Sequence, residues 1–282
     1  MDWLTETKIP LGKWVEAGVE AFNVWASGFL DAVSETLQTL IEGLTDGMAA
    51  VPPVVLVLVF AALAGYLKKS WKLALGVVLG LFLIINMGYW DETLETLALV
   101  VFATFVCMVI GVPIGIAAAH RPWLEAILRP VLDLMQTLPT FAYLIPTLIL
   151  FGLGVVPGLI STVIFAIPAP IRLTTLGIKS TPNALVEAGK AFGCTKNQLL
   201  FKVELPSAMP TIMAGLTQCI MLSLSMVVIA ALVGADGLGE PVLRALNTVN
   251  IAKGFESGLA IVIVAILLDR VFRRAEPPSE QR

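Results

Sequence analysis

The residues of this chain that could do chemistry are few, and their spacing does not suit catalysis. Its one histidine, His120, stands beside Arg121 and Pro122 with no HExxH around it, and a single imidazole does not make a metal site. A structural or interfacial role is expected of it. Cys107, Cys194 and Cys219 are an odd number without CxxC or other ligand spacing, so neither a disulfide framework nor a metal cluster is indicated. No GxxxxGK[ST] is present to cradle ATP and no GxSxG to present a nucleophilic serine. No cofactor is implied. The stretch that stands out is suited to recognition instead: EAGKAFGCTKNQLLFKVELP, residues 187–206, polar and basic within a chain that is 57% hydrophobic and 14% charged.

Its local pattern is that of two short helices joined by a tight turn. Thr181 followed by Pro182 reads as a capping hydroxyl and then the residue whose missing N–H costs nothing in a first turn. Leu185, Ala188, Gly189 and Phe192 fall at i, i+3, i+4 and i+7 on one apolar face, flanked by Glu187 and Lys190. Gly193 is expected to end that helix in the left-handed conformation. Thr195 and Gln198 make a capping-box pattern; Leu199, Leu200 and Val203 give the next apolar face, and Pro206 is expected to stop the second helix. Small residues with one aromatic would let another protein approach the backbone and seat the Phe192 ring, as helix-in-groove recognition does. The same periodicity also suits an amphipathic hairpin lying on the inner leaflet.

The elements that must position this stretch belong in a bilayer. Mean hydropathy is +0.90, and soluble domains carry about a quarter charged residues. A net charge of −3 without a basic stripe argues against a nucleic-acid partner. Apolar runs near the roughly 20 residues needed to cross hydrocarbon occur at 51–67, 73–89, 97–119, 138–153, 158–171, 209–233 and 258–268, which predicts seven spans, the fifth and seventh short. Positive charge sets their orientation. With the N-terminus outside, the inner segments hold Lys68, Lys69, Lys72, Arg121, Arg129, Arg172, Lys179, Lys190, Lys196, Lys202, Arg270, Arg273, Arg274 and Arg282, against Lys8, Lys13, Arg244 and Lys253 outside. N-out, C-in topology puts residues 187–206 in the cytosol. Asp2 and Glu6 occupy the place of a basic n-region, so no cleaved signal peptide is expected. The acid-rich first fifty residues carry Val15, Val19, Phe22, Ala26, Phe29, Val33, Leu37, Leu40, Leu44 and Met48 at steps of three or four. That pattern predicts a long amphipathic helix, either lying along the outer membrane surface or serving as a docking scaffold.

Polar groups inside spans face a pathway or a neighbour. Gln136, Thr137 and Thr140 at the start of the fourth span, and Gln218, Ser223 and Ser225 in the sixth, are the pathway candidates; helix packing or back-bonding is the alternative for the two serines. No charge lies deep in a span, which argues against a carrier driven by protons or sodium. Pro113, Pro139, Pro146, Pro157, Pro168 and Pro170 interrupt the spans where a gate could bend. GxxxG at Gly76/Gly80, Gly111/Gly115 and Gly154/Gly158 favours packing over any particular dimer face.

Residues 187–206 resemble the EAA coupling loop of ABC-importer permeases. Glu187 and Ala188 match, Gly193 follows after three residues, and Val203, Leu205 and Pro206 come after nine more; Gly189 departs, since the family more often has alanine there. The stretches LPTFAYLIPTLILFGLGVVPGLISTVIFAIPAPIRLTTLGI and MPTIMAGLTQCIMLSLSMVVIAALVGADGLGEP further resemble the permease subunit of glycine betaine, proline betaine and choline importers, over roughly residues 50–274. The resemblance implies an all-α polytopic membrane protein with the type I importer core. Its expected organisation is an extracytoplasmic amphipathic segment at 1–50, two accessory spans at 51–92, a core at 93–274 with its coupling loop at 181–206, and a cytoplasmic tail at 275–282. It also implies a homodimer in the cytoplasmic membrane, a separate ATP-binding subunit gripping the loop, and an extracytoplasmic substrate-binding protein. Glu187, Ala188 and Gly193 would form the docking helix and turn, while Leu205 and Pro206 would anchor the loop to the sixth span. A permease for another small solute, such as an amino acid or organosulfonate, would share the loop; a secondary carrier or a polytopic enzyme are the rivals from other classes.

Overall fold

A computed structural model describes residues 10–272; the remaining terminal residues, with Lys8, Arg273, Arg274 and the expected tail at 275–282, lie outside the described residues. Within them every regular element is helical. In chain order these are α1 (Leu11–Ala49), α2 (Pro53–Lys68), α3 (Trp71–Met87), α4 (Trp90–His120), α5 (Pro122–Thr137), α6 (Phe141–Phe151), α7 (Val155–Ala166), α8 (Pro168–Lys179), α9 (Asn183–Ala191), α10 (Lys196–Leu199), α11 (Leu205–Ala230), α12 (Gly239–Asn247) and α13 (Ile251–Phe272).

Each of the seven expected apolar runs coincides with helix, but their lengths differ from expectation. Four stretches are long and apolar enough to cross a membrane by themselves: α4, α7 with α8, Lys196–Val233, and α13. α1 and α2 meet at 101° and α5 and α6 at 96°, so each pair is a broken span or a re-entrant element, and α3 is a shorter apolar helix. Length and composition thus support four spans and up to six, against the seven expected. The fifth run is longer than read, Val155–Lys179, because Pro168 and Pro170 sit in the first turn of α8, where N–H groups have no intrahelical partner to lose. The seventh extends beyond Glu256 and Asp269, which had bounded the apolar run. The fourth is shorter: the chain breaks at Leu138 and Pro139, and the residues before it form α5, an amphipathic helix that a search for apolar runs passes over. Two ion pairs tie α5 to α8, and a third lies within α5. Arg172 of α8 meets Asp133 at 2.6 Å, Lys179 meets Glu125, and Glu125 also meets Arg129 at 3.4 Å.

The core is built where α8 packs against both α4 and α11. Glycines permit that approach. A β-carbon on Gly115 would stand 2.7 Å from the Ile171 carbonyl, one on Gly158 2.9 Å from Ala230 Cβ, and one on Gly80 2.9 Å from Ile263 Cγ2, so each of the three GxxxG pairs includes a contact inside one chain. At the end of the bundle remote from α9, Thr96 Oγ1 accepts from Leu238 N at 2.8 Å and Gly154 N donates to Val233 O at 2.8 Å.

The long helix α1 forms as its periodicity predicts, with only part of the expected stripe in contact and Leu30 and Ile41 added to it. Ala26, Leu30 and Ile41 are buried and Leu37 and Met48 half-buried, packed toward α4 and α6, while Phe22, Phe29 and Leu40 of the expected stripe are exposed with Trp14 and Trp25. Asn23 Nδ2 donates to the Ile149 carbonyl of α6 at 3.2 Å. The apolar surface of α1 is wider than one stripe, and neighbouring helices take its flank.

Candidate coupling surface

α9 begins at Asn183. Pro182, not Thr181, therefore holds the cap position, and the Thr181 hydroxyl is buried without a hydrogen-bond partner; the expected capping hydroxyl lies one residue too early. At the other end the chain turns as expected. Gly193 takes φ +76°, Cys194 N donates to Gly189 O at 3.1 Å and Gly193 N to Lys190 O at 3.0 Å, the paired bonds of a Schellman closure that favours glycine at this position. Thr195 then caps α10 reciprocally. Gln198 N donates to Thr195 Oγ1 at 3.3 Å, and Thr195 N donates to Gln198 Oε1 at 2.9 Å.

The two short helices pack through Gly189. It is buried, and a β-carbon there would stand 2.8 Å from Leu199 Cδ1 and 3.4 Å from Val203 Cγ2. The glycine that departs from the coupling-loop pattern is the close contact of the hairpin. With Gly189 turned inward, Leu185, Ala188 and Phe192 face solvent, Phe192 at 89% exposure, and Glu187 and Lys190 are exposed on either side. The expected single face is thus divided: glycine packs inward, and an aromatic with charged neighbours remains available outward.

Pro206 does not stop the second helix. α10 runs through a π-helical turn, Leu200–Glu204, into α11, and Leu205 N bonds to Leu200 O. The wide turn absorbs an extra residue and places Pro206 in the first turn of α11, where its ring is tolerated. Leu200 and Leu205 pack with Ile178, Ala208 and Ile212 against Ile116 and Ala119 of α4. The outward hairpin is therefore joined to a span by continuous helix and to two others by apolar contact.

The pathway candidates separate. Gln218 and Ser225 are exposed on one face of α11, two turns apart, with Ser225 Oγ donating to Met221 O at 3.0 Å. Ser223 is fully buried on the opposite side, its hydroxyl without a partner, as two residues advance a helix by roughly 200°. Gln136 and Thr137 are exposed in the last turn of α5, and Thr140 is half-buried at the bend. Cys107 and Cys219 are buried free thiols packed together between α4 and α11. Sequence reasoning missed one contact of the site: His120 at the end of α4 bonds Glu204 in the π-turn at 2.8 Å. Only the isolation of Glu204 among apolar neighbours could have pointed to it.

Residues 111–277 match the family model described as "Binding-protein-dependent transport system inner membrane component". This chain belongs to that family. It is a multi-pass membrane permease of an ABC transport system, a class that works with ATP-binding and substrate-binding subunits, and it is not an enzyme. Over 98% of its length, and 97% of the relative's, this permease is 46% identical to the glycine betaine transport system permease protein OpuAB of Bacillus subtilis (strain 168). It is 41% identical to the glycine betaine/proline betaine transport system permease protein ProW of Escherichia coli (strain K12), covering all of this chain and 79% of that one. It is 44% identical to the glycine betaine/carnitine transport permease protein GbuB of Listeria monocytogenes serotype 1/2a (strain 10403S), over 93% and 94%. Among solved structures, the MetNI methionine ABC transporter in inward-facing conformation aligns with TM-score 0.58 at 24% identity, over 68% of this permease and 95% of that chain, which establishes the type I fold.

Proposed function

We propose that this permease imports glycine betaine or proline betaine, with choline as a chemically related candidate, across the cytoplasmic membrane. Two copies form the pathway, oriented N-out and C-in, and they alternate between outward and inward openings. An ATP-binding subunit docks on residues 187–206, seating the exposed Phe192 ring between Glu187 and Lys190, and its closure is transmitted through Gly193, Val203, Leu205 and Pro206 into α11. A substrate-binding protein delivers solute to the outer face. Gln218 and Ser225, on one exposed face of α11, border the pathway, with Gln136, Thr137 and Thr140 near its cytosolic end.

The observation that carries this reading is identity above 40% across nearly the whole chain to permeases whose names specify glycine betaine. The test is uptake of labelled glycine betaine, proline betaine, choline and methionine by proteoliposomes holding the permease with its ATP-binding and substrate-binding partners. ATP-dependent accumulation of a betaine, with methionine excluded, is the expected result. Methionine uptake without betaine uptake would overturn the substrate assignment, and accumulation without the ATP-binding subunit would make it a secondary carrier.

A further inference from the structure

His120 ends α4, and it is the one histidine in the chain. Its ring is held at both nitrogens: Nδ1 lies 2.9 Å from the Ile116 carbonyl and Nε2 lies 2.8 Å from Glu204 Oε2. A carbonyl only accepts, so Nδ1 is the donor to Ile116, and Nε2 stands within hydrogen-bond distance of the carboxyl oxygen. The acid is the buried member, with its side chain 10% exposed against 45% for the imidazole. Glu204 closes the π-turn that joins the outward hairpin to α11. Ile116 and Ala119 of α4, and Leu200 and Leu205 at the π-turn, pack against the same buried cluster of Ile178, Ala208 and Ile212. A buried carboxylate that loses its donor is left unsatisfied, so the end of α4 is tied to the π-turn.

We infer that the His120–Glu204 pair is a positioning link that carries movement of the 187–206 hairpin into α4, so that α4 and α11 move together when the ATP-binding subunit closes. This rests on the hairpin being the site where that subunit docks, and it concerns the step behind docking. Neither residue touches solute or nucleotide; both act through the helices they join.

The experiment compares wild type, His120→Ala, His120→Gln, Glu204→Ala and the double variant His120→Ala/Glu204→Ala, each reconstituted with its ATP-binding and substrate-binding partners. Three quantities are read: the ATP-binding subunit retained, the Tm of the complex, and solute transported per ATP hydrolysed. The expected result is normal retention, a modest fall in Tm in His120→Ala from the unsatisfied carboxylate, and solute per ATP lowered about fivefold or more in His120→Ala and Glu204→Ala, within the range of ordinary coupling energies. The double variant should lose no more than the worse single one, as for residues acting through one contact. His120→Gln, which keeps a donor toward Glu204, should recover part of the ratio. A wild-type ratio in His120→Ala with normal retention overturns the link and leaves docking intact. A loss confined to Tm, with the ratio unchanged in the folded complex, makes the pair a packing contact and also overturns it. Failure of wild type to retain any ATP-binding subunit removes both the link and the docking reading.

Discussion

Gly189 and Leu199 approach so closely that a β-carbon on the glycine would stand 2.8 Å from Leu199 Cδ1. This contact closes the 187–206 hairpin and turns Phe192 outward. The atom that would be met is the tip of a flexible side chain, so Gly189→Ala should retain ATP-dependent uptake within about twofold, the tip giving way. Gly189→Leu should overpack the hairpin by about 1–3 kcal/mol and reduce the ATP-binding subunit retained on purification. Equal retention by both variants would contradict the packing described.

Gly193 takes φ +76° with no atom near its missing β-carbon, so substitutions there are governed by backbone conformation rather than space. Asparagine should be tolerated best and valine worst, with a left-handed penalty of about 1–2 kcal/mol for ordinary residues. Gly193→Asp tolerates the conformation as asparagine does but adds a negative charge to the proposed docking surface, so it should insert normally yet uncouple uptake from ATP hydrolysis. Uptake per inserted permease measures it, and a flat response across Asn, Ala and Val would show that the turn is not required.

Phe192, 89% exposed, contributes little to the fold of the permease alone. Phe192→Ala should leave its Tm within about 1 °C of wild type, as for a surface substitution, while weakening retention of the ATP-binding subunit about tenfold or more, as loss of an aromatic anchor does. A fall in Tm with retention intact would make the ring a structural residue.

Gly115 presents the opposite case. A β-carbon there would stand 2.7 Å from the Ile171 carbonyl, and backbone cannot swing aside. Gly115→Val should lower Tm and yield, at a cost of about 1–3 kcal/mol or more, whereas Gly76→Val, with nothing within 4 Å, should be neutral in the same assay.

Much of this was legible in residue order, for physical reasons that differ by element. Apolar runs located the helices because hydrocarbon demands them, and the Gly193 turn and the Thr195/Gln198 box declared themselves because local hydrogen bonding suffices to form them. Hidden features depended on partners distant in sequence. α5 escaped because it is held by Arg172 and Lys179 rather than by apolar length. The inward turn of Gly189 needs Leu199, the continuation past Pro206 needs a π-turn that no residue pattern announces, and the separation of Ser223 from Gln218 and Ser225 follows from what covers each face of α11. A structural or interfacial role for His120 follows from its context, but its partner, Glu204, is 84 residues away.

The central claim is that residues 187–206 are where an ATP-hydrolysing subunit takes hold, and the most direct measurement is copurification of the tagged permease from native membranes in mild detergent, wild type beside Phe192→Ala and Gly193→Asp, with ATP hydrolysis assayed on each. The account predicts that a P-loop ATPase accompanies the wild type, is depleted with Phe192→Ala, and is lost or hydrolyses ATP without driving uptake in Gly193→Asp. Wild type purified without any ATPase from membranes that still accumulate betaine, or equal ATPase and uptake in all three, would contradict it.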